Sequence, residues 1–291
     1  VRSTIAVAGR TRTLTVVGEP EGPRDRALVL VLHGSKQDGE VHRRFTGGAL
    51  DRLAAEGRAV VAYLDGYRGN WNDARAASRF PARTAGVDDV GFVREVVRLL
   101  ARSHGIDREA VVAVGYSNGG QMVLRLLHEP EQLLAGAVVV AATMPDRDDF
   151  LGAFSETSDR SIPIALVAGT ADRIVPFEGG RMAWWARAVF RVGGTALSAP
   201  ATAQYLARRN GVATSPTVEL RPERTGGSRG TRTEITAYRA EGHAPVTLYT
   251  VRGGGHTVPG PKAAPRMLGR TGADVAIDEI VVGVLDALGR P

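Results

Sequence analysis

"AVGYSNGGQM", Ala113 to Met122, is an apolar run that ends on a serine held between glycines. An apolar strand passing straight through Gly-x-Ser-x-Gly into a helix-forming run reads as strand, sharp turn and helix. The turn forces the serine into strained backbone geometry, and side chains two positions to either side would collide there. Gly115 and Gly119 meet that requirement. The turn lifts the Ser117 hydroxyl clear of the sheet and aims the following amide, that of Asn118, at the same point. The start of the helix adds positive potential there, so Asn118 is a candidate oxyanion donor. The pentapeptide alone carries little weight. With glycine at 36 of 291 positions, roughly one such chain in six would contain it by accident. Its context has to decide.

Five compact apolar runs set that context: "ALVLVLHG" from Ala27, "AVVAYLDG" from Ala59, "AVVAVGYS" from Ala110, "AGAVVVAA" from Ala135 and "IPIALVAGT" from Ile162. They are continuous rather than alternating, the pattern of strands buried on both faces of a parallel sheet. Helical patterns separate them. In "DDVGFVREVVRLLARSHG", Val90, Val93, Val97 and Leu100 share one stripe, Asp88 or Asp89 marks the start, and Gly105 follows the end. Gln121 to His128 predicts a shorter helix after the Ser117 turn. The start of the chain predicts an antiparallel hairpin about Gly9-Arg10, "PVTLYTVRGGG" a late strand, and "DVAIDEIVVGVLDAL" a closing helix. Alternating strands and helices predict a single α/β domain, residues 1 to 291, with a mostly parallel central sheet. Val192 to Gly242, with a helix and a polar hairpin, reads as an irregular insertion in it.

Composition narrows the function. The chain is 43% hydrophobic and 23% charged, with a net charge of +6. Its basic residues are scattered arginines, paired at most as in Arg43-Arg44 and Arg208-Arg209, which predicts a solvated surface and no nucleic-acid partner. The absence of cysteine excludes disulfides, a thiolate nucleophile and cysteine metal sites. The longest apolar stretch, Leu133 to Met144, is too short for a membrane span. No His/Asp/Glu group has metal-ligand spacing and no Walker or dinucleotide fingerprint occurs, so neither metal nor cofactor is expected. A leader removed ahead of Val1 would place the protein outside the cell; otherwise it is cytoplasmic.

A serine needs a base. Among the six histidines, His256 in "RGGGHTVPG" follows the last strand, at the sheet edge where the nucleophile turn lies. His243 precedes that strand, and His33 in "LHGSK" is expected to brace its loop. The acid that orients the imidazole is expected at Asp172, in "GTADRIVP" after its strand. Asp146, Asp148 and Asp149, one strand earlier in "MPDRDDF", remain rivals. Ser35, directly after His33-Gly34, is the candidate for the second oxyanion amide.

At this point "LHGSKQDG", "NWNDAR", "GVDDVGFV", "GYSNGG", "GTADRIVPFEGG", "YLARRNG" and "GGGHTVPG" together resemble the esterase/polyhydroxybutyrate depolymerase group. That group is akin to the feruloyl and acetylxylan esterases of carbohydrate esterase family one. The resemblance runs from about Ala27 to the closing helix. It implies an α/β-hydrolase fold with helices on both faces, in which Ser117, Asp172 and His256 match the triad motifs. It further implies cofactor-free ester hydrolysis through an acyl-enzyme, on short-chain, hydroxyalkanoate-oligomer or feruloyl-type esters; the partner is thus a small-molecule or oligomeric ester. A peptidase, an acyltransferase or a non-catalytic binding protein of the same fold are the competing readings. Two departures stand out: Val212 replaces a cysteine common in secreted relatives, and Val258 replaces the tryptophan of Gly-His-Thr-Trp-Pro-Gly. Trp71 is expected to line the acyl side of the cleft, with packing as the alternative, and Tyr116 is a second candidate substrate contact. Of Trp184 and Trp185, on a helical pattern with Met182, one is expected in the core.

Overall fold

The continuous apolar runs become strands with every side chain buried, as in β3 (Arg26–Leu32), β4 (Ala59–Leu64), β6 (Gly136–Val140) and β7 (Ile164–Gly169). The computed structural model describes residues 1–190, 192–222 and 230–289, and of residues 186, 189 and 190 only the backbone. Its remaining strands are β1 (Arg2–Val7), β2 (Arg10–Val17), β5 (Ile106–Tyr116), β8 (Thr217–Leu220), β9 (Arg232–Tyr238) and β10 (Val246–Arg252). The helices are α1 (Gly39–Phe45), α2 (Asp51–Ala55), α3 (Pro81–Thr84), α4 (Asp89–His104), α5 (Asn118–Leu126), α6 (Trp184–Phe190), α7 (Ala199–Arg209) and α8 (Ile277–Asp286).

One ten-stranded sheet runs in the order β1-β2-β4-β3-β5-β6-β7-β10-β9-β8. Its middle, β4 through β10, is parallel, and antiparallel strands close both ends. This is the α/β-hydrolase arrangement, with an N-terminal antiparallel pair and helices on both faces. Alternate residues of β3 feed two separate cores. Leu28, Leu30 and Leu32 pack with Phe92 and Val96 of α4 and Leu206 of α7, while Val29 and Val31 face the side holding Leu53, Ile280 and Val281. The hairpin turn falls on Ala8-Gly9, one residue before its expected place, with both φ positive (46° and 73°), as a tight two-residue turn requires.

The segment from Val192 to Gly242 is less of an excursion than its sequence suggests. Helix α7 packs on β7 and β10, and β9 and β8 extend the sheet beyond β10. The polar hairpin turn, residues 223–229, lies outside the described residues.

The two acidic residues that open α4 have different roles. Asp88 caps the helix, its Oδ1 accepting the Gly91 amide at 2.7 Å. Asp89 is fully buried. It accepts from Arg12 of β2 at 2.6 Å and from the Asn72 amide at 2.7 Å, tying β2, α4 and the loop after β4 together. Burial pushes its carboxyl above the usual range, and the Arg12 guanidinium pulls the other way. Asp88→Ala should therefore cost about 1 kcal/mol, and Asp89→Ala, which strands a buried guanidinium, about 3–5 kcal/mol. Urea unfolding of the two variants checks this; equal losses would contradict the assignment.

Candidate active site

Strands β3, β5, β6, β7 and β10 run parallel and adjacent, and their registers align. Leu32 pairs with Gly115, Tyr116 with Val140, Val140 with Val167, and Gly169 with Val251. Their carboxyl ends therefore share one level, and the loops beyond them form one rim.

Ser117 stands on that rim between β5 and α5, at φ 53° and ψ −114°. Its amide donates to Val140 O at 2.8 Å and its carbonyl accepts the Gln121 amide at 3.0 Å, which holds the turn. The flanking glycines are obligatory. A Cβ on Gly115 would lie 2.3 Å from Gly119 O, and one on Gly119 2.1 Å from Leu32 O. Serine at a helix start ordinarily caps the helix with its hydroxyl. Here the backbone twist denies that bond, and the Ser117 Oγ lies 2.9 Å from His256 Nε2 instead.

His256 Nδ1 lies 2.7 Å from Asp172 Oδ2. The other carboxylate oxygen accepts the amides of Ile174 (2.7 Å) and Val175 (2.9 Å), so a tight turn after β7 fixes the aim of the acid. Both side chains are shielded, at 4% and 2% exposure. With the proton on Nδ1, the ring donates to Asp172 and accepts from the Ser117 hydroxyl, the arrangement a general base needs. Asp146, Asp148 and Asp149 do not reach His256; Asp149 instead accepts from the amide and hydroxyl of Thr195.

The three glycines before His256 serve close packing. Gly254 O accepts the Ala171 amide, the Gly255 amide donates to Arg270 O, and the His256 amide donates to Leu268 O at 2.7 Å. A Cβ on Gly255 would lie 2.1 Å from Leu268 O. The segment Arg266–Arg270 thus straps the histidine loop from outside. From inside, the Tyr116 hydroxyl donates to His256 O at 2.8 Å, and the two rings lie 5.2 Å apart.

The loop after β3 faces Ser117 across a slot that Ser35 and Ser117 both line. His33 braces it, as expected. Its Nδ1 donates to Gly34 O at 2.7 Å and its Nε2 accepts the Gly66 amide at 2.9 Å. Burial lowers its pKa and keeps the ring neutral, the state in which Nε2 can accept. The remaining slot walls include Phe80, Gln121, Ala142, Val175 and Met182, and the slot is about 20 Å³.

Two expected substrate contacts have other roles. Trp71 is fully buried and lines no cleft. Its amide donates to Asn118 Oδ1 and its indole N–H to His33 O, both at 2.9 Å, so it joins the two candidate oxyanion loops. Tyr116, 5% exposed, supports the His256 backbone rather than reaching into the slot. Trp184 and Trp185 are both exposed, at 80% and 39%, so neither is core.

Asp73 and Arg75 belong to the site as well, though no catalytic motif marks them in the sequence. Asp73 is buried, accepts from the Asn118 side-chain amide, and is clasped by Arg75, which also lines the slot. The crowding of polar residues in "NWNDAR" was the available signal. Among the described residues no group of three His, Asp or Glu side chains is placed to hold a metal ion, and no helix is long and apolar enough to cross a membrane.

His42 supports the site from behind, in a three-ring cluster with Phe45 (5.9 Å) and Tyr116 (5.6 Å), which also lie 5.4 Å from each other. Burial, and secondarily the neighbouring His33, lower its pKa from 6.5 to about 3. The unfolded chain protonates this histidine near 6.5 while the folded chain keeps it neutral to about 3. Between those values the unfolded state holds more protons, so stability is full above the window and falls as pH drops through it. Thermal unfolding across that range should show a shallower decline for His42→Phe than for the wild type. Identical slopes would contradict it.

The chain compares closely with known esterases. A family model described as Phospholipase/Carboxylesterase matches residues 83–186. "Putative esterase NocK" of Nocardia uniformis subsp. tsuyamanensis is 32% identical over 96% of this chain and 82% of its own length. "Feruloyl esterase B" of Piromyces equi is 27% identical over 54% of this chain, a match that spans 28% of that protein. In fold, the acetyl xylan esterase of Aspergillus awamori superposes with a TM-score of 0.56 at 15% identity, over 90% of this chain and 96% of that one. With the fold, the aligned rim and these relatives in hand, the chain belongs to the carboxylesterase family of α/β-hydrolases.

Proposed function

We propose that the protein is a serine esterase in which Ser117 is the nucleophile, His256 the general base and acid, and Asp172 the orienting carboxylate. The observation that carries this is the unbroken hydrogen-bond chain Ser117–His256–Asp172, ending in the wall of a slot. The Ser117 Oγ attacks the ester carbonyl as His256 Nε2 takes its proton. The amides of Asn118 and Ser35 receive the oxyanion, aided by the N-terminus of α5. The alcohol leaves with the proton from His256, and water, activated by the same nitrogen, then frees the acyl group from Ser117.

The slot, walled by Phe80, Ala142, Ile174, Val175 and Met182, suits an apolar acyl chain. It continues into a second chamber that shares Arg75, Gln121, Val175 and Met182 with it. Its wall includes the polar side chains of Gln121 and Thr143, which suits an acyl chain carrying a hydroxyl, as hydroxyalkanoate esters and their oligomers have.

Ser117→Ala should lower hydrolysis of p-nitrophenyl acetate or butyrate by on the order of 10³-fold or more, with an unchanged circular dichroism spectrum. Wild-type turnover in that variant would sink the proposal. Asp172→Asn should lower kcat by on the order of 10³–10⁴-fold, while Asp148→Asn and Asp149→Asn stay near wild type. A larger loss at Asp148 or Asp149 would move the acid one strand earlier.

A further inference from the structure

A separate cavity of about 360 Å³ adjoins His256 and meets the acyl slot at Ile174, which lines both. One wall is the turn after β7, with Arg173 and Ile174; the other is the strap with Arg266 and Arg270 that holds the histidine loop. Its lining contains these three arginines and no acidic side chain. Some arginines elsewhere in the fold are matched to acids, as in Arg12–Asp89, Arg43–Asp51, Arg94–Glu131 and Arg252–Glu234, but none of those pairs lines the cavity beside His256. Arg173, Arg266 and Arg270 form no ion pair among the described residues. The guanidinium of Arg270 makes one long bond, 3.4 Å to Gly230 O.

Three like charges around one concavity, with no acid partner among the described residues, repel one another and focus positive potential into it, which an anion relieves. The planar fork of arginine suits carboxylate and phosphate oxygens in particular. The backbone beneath is fixed, since the strap bonds to the histidine loop through Gly255–Arg270 and His256–Leu268.

The chemistry decides which half of an ester lies here, and this step rests on the esterase reading. As the tetrahedral intermediate collapses, the bond from carbonyl carbon to alcohol oxygen breaks. The electron pair stays on that oxygen, which takes the proton from His256 Nε2, and the acyl group remains on Ser117 Oγ. The departing alcohol is therefore the half beside His256, while the narrow slot past Ser117 keeps the acyl half. We infer that the arginine-lined cavity receives an alcohol moiety bearing an oxyanion, a carboxylate or a phosphate monoester, and that esters of such anionic alcohols are the preferred substrates.

Three acetate esters test this: 4-acetoxybenzoate, 4-acetoxyphenyl phosphate and the uncharged 4-acetoxybenzamide. The readout is kcat/KM of each anionic ester relative to the amide-bearing one. At low salt the ratio should be about tenfold for at least one anion, since exposed charge contacts are each worth a few-fold. It should fall toward one in about 0.5 M NaCl. R173Q/R266Q/R270Q should bring the ratio toward one. Removing the same charge at Arg24, Arg102 and Arg108, around the amino ends of β3 and β5 and the last turn of α4, should leave it as in the wild type. The larger of the two wild-type ratios identifies carboxylate or phosphate as the favoured group. A wild-type ratio near one, a ratio that survives the triple substitution, or one that falls equally with the distant triple would overturn the inference. If the uncharged ester is hydrolysed without anion preference, the esterase reading stands and the inference alone fails. If none of the three is hydrolysed, both fail.

Discussion

The backbone of Ser117 is held at φ 53° and ψ −114°, a conformation that costs on the order of 1–3 kcal/mol for a residue with a Cβ. It persists because its surroundings allow nothing else. The Ser117 amide is committed to Val140 O, its carbonyl to Gln121, and α5 is pressed so closely onto β3 that Gly119 touches the Leu32 carbonyl. Much of the site follows from that one turn. The hydroxyl is turned away from capping the helix and toward His256, while the Asn118 amide is left at the open N-terminus of α5. The turn sits on β5, in the interior of a sheet whose neighbouring strands end at the same level, so short loops suffice to deliver every other group.

The two sides of this serine are built differently. On the histidine side, backbone does the positioning: β7, the glycine run and the strap Arg266–Arg270 lie so close that no side chains fit between them. On the oxyanion side, a buried polar lattice takes that role. Arg12 holds Asp89, Asp89 holds the Asn72 amide, Trp71 joins Asn118 to His33, and Asp73 joins Asn118 to Arg75. Strand β2 is thereby coupled to the turn that carries Ser117 and Asn118. Such a lattice is fragile when one member is removed, the more so as Arg12 Nη1 and Asn72 Oδ1 are buried without a partner among the described residues. The serine is thus positioned from both flanks, by two different means.

The parallel core was legible because strands buried on both faces must be continuously apolar, and these runs are. The meeting of Ser117, Asp172 and His256 was legible for a related reason: each follows a parallel strand, and register brings strand ends together. What local pattern cannot express is where a side chain goes once three elements converge on it. Trp71 looks the same in sequence whether it lines a cleft or closes a core, and its two hydrogen bonds to distant loops decide the matter. Asp88 and Asp89 are both plausible helix-start carboxylates, yet only long-range contact with Arg12 separates cap from cross-link. The polar strand β8 carries no apolar signature, because it is an exposed edge whose place is set by pairing with β9.

The central claim, that this strained serine is made reactive by His256, is most directly tested by covalent labelling. A fluorophosphonate phosphonylates a serine, with loss of fluoride, only where a base and an oxyanion site act on it together. Intact-mass and peptide analysis should find a single adduct, on Ser117, that is lost in His256→Ala. No adduct, an adduct on another serine, or undiminished labelling of the His256 variant would contradict the account.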